Sequence, residues 1–190
     1  MAEIATFNPH HLVFLDETGI DKRISRQFGY SVRGTAPVVR DYSYSQWGPH
    51  FTVISAISSE GLVANYILPI EQRFNEEAFN EFLDHCLLPL MNVYNGVNTR
   101  SVIVMDNHAV HHVRDVIDRI YNFGALVRFS PPYSPDLNPI EEAFAKVKHH
   151  LRLNDVVLKS LADPTPLIWD AFGQITQQDC EGYMRHAGYL

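Results

Sequence analysis

Two acidic residues stand at the ends of short apolar runs: Asp16 closes LVFLD and Asp106 closes VIVMD. A carboxylate at the carboxyl end of a buried strand is held rigidly and opens into the crevice where open α/β sheets bind ligands. Two such groups side by side repel, and one is driven toward its protonated form unless a cation lies between them. Magnesium suits that position because it takes oxygen donors and keeps waters and phosphate oxygens in its shell. Two ions about 4 Å apart can activate a water and stabilise the leaving oxygen of an in-line phosphoryl displacement. Either Asp alone reads as a turn residue; the matched pair points to a site.

A third acid is needed to complete such a cage. Glu141 is the candidate, with Glu142 beside it as a competitor. Asn138-Pro139-Ile140-Glu141 is also a good helix start, with Asn as N-cap, Pro at the first helical position and an acid at the third. The residue types leave Glu141 between capping and metal binding. His108 and His112 carry the i, i+4 spacing of a zinc-binding helix. Asp106 beside them suits a hard cation better, which makes His108, His111 and His112 cleft-edge residues rather than zinc ligands.

The elements that must position these acids follow from periodicity. HLVFLDETG reads as a buried strand over 11–16. QFGYSV and APVVRDY read as a basic hairpin, and FTVISAIS and LVANYILP as a second hairpin turning at Ser59-Glu60-Gly61. Three- and four-residue spacing of apolar positions predicts a helix over 75–91. SVIVMDNH predicts a strand, 109–122 a helix, ALVRFS a strand, and a helix runs from Asn138-Pro139 to about Leu153. One or two more helices are expected after Leu167. Antiparallel strands followed by strand–helix alternation imply an α/β fold, a mixed central sheet with helices on its faces. Right-handed crossovers would set the Asp106 strand parallel to the Asp16 strand, with both acids at the same end.

At 190 residues, 46% hydrophobic and 19% charged, the chain has the composition of a soluble globular domain. Cys86 and Cys180 are in no metal-ligand spacing, as expected of reduced thiols in an intracellular protein. Neither a secretory signal nor a membrane-spanning run is evident.

The stretch SPPYSPDLNPIEEAFAKVKHHLR resembles the signature of the Tc1/mariner and bacterial IS630-like DDE transposases. VIVMDNHAVHH resembles that family's second motif, and LVFLDETG with YSVRGTAP its first. Thirty-four residues lie between Asp106 and Glu141, similar to the family's D-D-34-E arrangement. The resemblance covers about residues 11–153. It implies a ribonuclease-H-like fold and makes Asp16, Asp106 and Glu141 the catalytic, metal-binding acids. Two magnesium ions, with manganese able to substitute, are implied as cofactors. So are hydrolytic cutting of double-stranded DNA at transposon ends and attack of the freed 3′-hydroxyl on target DNA, commonly at TA sites. It further implies a homodimer in the DNA complex, and residence in the nucleus or the bacterial cytoplasm and nucleoid. Relatives carry helix-turn-helix modules ahead of this domain. Here the sequence opens almost on the first motif, so a single domain over 1–190 with a helical tail over 154–190 is expected, and end recognition is expected elsewhere.

The formal charge of −7 opposes DNA binding, although two divalent ions would offset four of those charges. Local basic strips can steer DNA even on an acidic domain. Arg23, Arg26 and Arg33, with Lys22 and Arg40, bracket the early hairpin; Lys146, Lys148 and Arg152 lie on the third helix. Each is either a solvated charge or a phosphate contact that positions a duplex without reading its sequence. Two alternatives stand beside the transposase: another ribonuclease-H-fold nuclease, and a catalytically silent, domesticated DNA-binding or assembly domain.

Overall fold

Alternation along LVFLDETGID decides how the first strand sits. Leu12, Phe14 and Ile20 pack into one apolar cluster, while Val13 and Leu15 pack into a second cluster on the other face. Each large apolar side chain taken from water contributes roughly 1.5–3 kcal/mol, so this alternation pins the register. The computed structural model describes residues 4–25, 30–36, 50–70, 72–108, 111, 114–132 and 134–190. Much of the basic hairpin expected from QFGYSV and APVVRDY lies outside these residues, Arg26 and Arg40 included. So does His112.

The strands are β1 (Leu12–Asp21), β2 (His50–Ser58), β3 (Gly61–Ile67), β4 (Val102–Met105) and β5 (Leu126–Phe129). They form one mixed sheet in the order β3-β2-β1-β4-β5. β1 pairs antiparallel with β2 and parallel with β4, and β4 pairs parallel with β5. The expected adjacency of the two Asp-bearing strands is present. β1 runs five residues past Asp16, longer than expected, because its partner β2 continues to His50.

The helices are α1 (Glu76–Phe82), α2 (Arg114–Phe123), α3 (Ile140–Leu153), α4 (Asp155–Ser160), α5 (Thr165–Gly173) and α6 (Gln177–His186). None is long and apolar enough to cross a membrane. The single helix expected over 75–91 is broken into α1, a π-turn over Leu83–Leu87 and a 3-10 turn over Leu88–Leu90. Pro89 cannot donate an amide to an α-helical ladder, so the regular spiral ends before it. The wider turn still buries Leu83 and Leu87. α1 belongs to the cluster of Val13, Leu15 and Met105, together with Val116 and Ile120 of α2. α3, α5 and α6 cover the opposite face, around Phe14, Phe144, Phe172 and Met184.

Candidate active site

Asp16 on β1, Asp106 just past β4 and Glu141 in the first turn of α3 line one cavity of about 380 Å³, together with Asn107, Ser130 and Asn138. Three elements far apart in sequence therefore bring the three expected acids to one place. A larger open hollow of about 560 Å³ runs along α1 and contains none of them. Its carboxylates face solvent, and Asp84 there pairs with Arg119 at 2.6 Å.

Asp16 is 9% exposed and both its oxygens are engaged. Oδ1 accepts the Glu17 amide at 2.8 Å, and Oδ2 accepts Nδ2 of Asn138 at 2.8 Å. Burial, followed by repulsion from Glu17 and from Asp106 and Glu141, pushes its carboxyl up to about 7. In the sheet it stands opposite Ser55, and Ser55 stands opposite Asn65. The Ser55 hydroxyl donates to Asn65 Oδ1 at 2.6 Å. A buried polar row thus leads from Asp16 across β2 to β3. Alternation in FTVISAIS places Ser55 among the inward Val53 and Ile57, a signal that sequence reading had available and did not use.

Asp106 is held differently. Its Oδ1 accepts the His108 amide at 2.9 Å and lies 2.8 Å from Nδ1 of His111. The hydrogen bond from His111 keeps the Asp106 carboxyl below the ordinary carboxylate range, against an opposing effect of burial. Burial alone would lower the His111 imidazole, but its hydrogen bond to Asp106 and the charge of Glu17 outweigh it and raise it. Burial raises Glu17, opposed by the His111 charge. Glu17 was not singled out in the sequence; strand alternation turns it to the face opposite Asp16, where His111 lies.

The capping box expected at Asn138 does not form. α3 begins at Ile140 with no side-chain cap, because the Asn138 side chain crosses to Asp16 while its carbonyl accepts the Glu141 amide at 3.1 Å. Glu141 is exposed at the helix start. Glu142 instead faces His186 of α6, 3.2 Å away. The C-terminal segment reaches the same loop. The Tyr189 hydroxyl donates to the Leu137 carbonyl at 2.9 Å, and its ring lies 4.8 Å from that of Phe14.

Three carboxylates line one cavity, one of them raised partly by the other two, and as oxygen donors they are of the chemical type that a hard divalent cation takes. Among the described residues, no three His, Cys, Asp or Glu side chains are gathered so as to hold an ion by themselves.

The expected DNA contacts scatter. Arg23 pairs with Asp21 at 2.6 Å, and Lys22 donates to the Leu161 carbonyl. Lys146 donates to Asp179. Arg33 is exposed, and Lys148 and Arg152 are half-buried on α3.

A family described as DDE superfamily endonuclease matches residues 11–160. No curated protein matches the chain. Among solved structures, the mariner Mos1 paired-end complex with Mg is similar at a TM-score of 0.65 and 20% identity, over 94% of this chain and 51% of that one. The Mos1 transposase catalytic domain with Raltegravir and Mg gives 0.63 and 16%, over 94% and 78%. The Mos1 paired-end complex with the left transposon end gives 0.58 and 19%, over 95% and 56%. The chain spans little more than half the length of the transposases in these paired-end complexes. The likeness establishes a shared ribonuclease-H-like fold.

Proposed function

Because the chain belongs to the DDE superfamily endonucleases, we propose that it is the catalytic domain of a cut-and-paste transposase in which Asp16, Asp106 and Glu141 bind divalent metal and cut DNA. Membership supports a nuclease at the level of enzyme class. The observation that carries the finer reading is the meeting of three carboxylates from β1, β4 and α3 in one cavity. The similar Mos1 structures contain Mg or Mn, which supports a divalent ion here, with the remaining ligands drawn from phosphate oxygens and water. A divalent ion held by Asp16, Asp106 and Glu141 would neutralise charge at the scissile phosphate and lower the pKa of the attacking water.

The chain's own residues supply orientation. Asn138 and the Glu17 amide fix both oxygens of Asp16, while His111 and the His108 amide fix Oδ1 of Asp106. In the first step an O–P bond forms from water and the bond to the 3′-oxygen breaks, leaving a 3′-hydroxyl. In the second, that hydroxyl attacks a target phosphate and displaces the target strand's own 3′-oxygen. Lys148 and Arg152 continue along the Glu141 side of α3 and serve as backbone contacts. Pairing of two ends by two copies, insertion at TA and a nuclear or nucleoid location belong to the same reading.

A silent DNA-binding domain is the second reading, favoured by the absence of a preformed three-ligand group among the described residues. Nicking of supercoiled plasmid with Mg2+ or Mn2+ separates the two. The parent is expected to nick, and folded Asp106→Ala and Glu141→Ala to lose more than about 100-fold, roughly 3 kcal/mol of barrier. Nicking that survives Glu141→Ala would remove that residue from the site. An inert parent would favour the silent domain.

A further inference from the structure

We propose that Glu17 and the buried His111 form a positioning pair that holds Asp106 in one orientation. The His111 side chain is fully buried, its ring 4.8 Å from that of Phe79 and 6.1 Å from that of Phe74. Its backbone amide donates to the His108 carbonyl at 3.0 Å. Its Nδ1 lies 2.8 Å from Asp106 Oδ1. On the far side of the ring, Nε2 lies 3.7 Å from Glu17 Oε2. Neither of those two buried atoms has a hydrogen-bond partner among the described residues. Each offers the other its way out of an unsatisfied polar burial, which is costly for both groups.

The arrangement is carboxylate, imidazole, carboxylate, with the Glu17 side chain 21% exposed and its Oε2 buried on the side of the imidazole. Aromatic walls fix the plane of the imidazole, Glu17 fixes which nitrogen faces inward, and the remaining nitrogen fixes Asp106. Oδ1 of Asp106 is thereby committed, and Oδ2 has no hydrogen bond among the described residues. A rigid group behind a metal-binding carboxylate typically changes metal affinity by about 10–100-fold when removed. Neither residue needs to touch substrate. What Asp106 does once held rests on the function proposed above, whereas the hold itself rests on these distances.

The test uses Mn2+ affinity, read by electron paramagnetic resonance, and the side-chain N–H signals of His111 in metal-free protein, read by NMR. In the parent, a slowly exchanging Nδ1–H signal is expected. Glu17→Ala and His111→Ala should each weaken Mn2+ binding by about 10-fold with the fold retained by circular dichroism. The double variant should be no weaker than either single one, because the two act as one device. Glu17→Gln, which keeps an acceptor for Nε2–H, should recover most of the loss and also guards against a misfolded Ala variant. A merely structural role would lower thermal stability and leave Mn2+ affinity within twofold, and that result overturns the proposal. If Asp106→Ala itself leaves Mn2+ affinity unchanged, the active-acid reading fails. The pair is then judged on the NMR signal alone: loss of the protected Nδ1–H in both Asp106→Ala and Glu17→Ala supports it, and persistence in Glu17→Ala refutes it.

Discussion

At the scale of single residues, the site contrasts two carboxylates of the same type in opposite electrostatic states. Asp16 is buried beside Glu17 and faces two further acids, and is raised to about 7. Asp106 accepts a hydrogen bond from a buried imidazole and is lowered. The sign for Asp16 follows from proton uptake. Its unfolded value lies near about 3.9, so between about pH 4 and pH 7 the folded chain binds the extra proton and stability falls as pH rises. In urea titrations with EDTA present, Asp16→Asn should gain on the parent across that window, and the gap should level off above about pH 8. A gap independent of pH would show that the Asp16 carboxyl is not raised. Added Mn2+ should stabilise the parent most at the alkaline end, where the carboxylate is charged.

The elements carry a second message: the third motif is held by contacts far from it in sequence. Asn138 ties the start of α3 to β1 through Asp16, and Tyr189 ties the same loop to the C-terminal end through the Leu137 carbonyl. α6 is secured in turn by a capping box between Thr176 and Asp179, whose carboxylate also receives Lys146 of α3. Although burial would raise Asp179, the hydrogen bonds from Lys146 and Thr176 hold it down to about 2. Tyr189→Phe keeps the ring against Phe14 and removes one hydrogen bond, so it should cost about 1 kcal/mol of unfolding free energy. Its more informative readout is hydrogen exchange at 134–141, which should quicken. Unchanged exchange would mean that the tail merely covers the core.

For the whole molecule, charge governs the partner. A chain at −7 is expected to bind duplex DNA weakly without divalent ions and to lose that binding steeply with salt. Lys148 and Arg152 are the α3 cations proposed to face DNA, because Lys146 is taken by Asp179. Replacing both with Glu should weaken anisotropy-measured binding uniformly across sequences. It should also reduce the slope of log K against log salt by about 2. A slope unchanged by the double substitution would move the DNA track off this helix.

Residue order alone determined the alternation that buries β1 and the parallel placement of β4 beside it, and it offered Asp16 and Asp106 as a matched pair, with Glu141 joined to them by the family resemblance. These are local or pairwise properties, written as period two in strands and as motifs of fixed length. The role of Asn138 was decided only by the tertiary structure, since its cap geometry is locally sound and is overruled by a buried carboxylate 122 positions away in sequence. Glu17 stayed hidden for the same reason, because its value depends on the His111 imidazole, 94 positions away in sequence, arriving beside it. The polar row through Ser55 and Asn65 depends on register between three strands. Lys146 reads as a free cation until α6 folds against it. A side chain's type and spacing state what chemistry it can do, but which partner it meets is set by long-range packing, where desolvation makes one buried hydrogen bond outweigh a local preference.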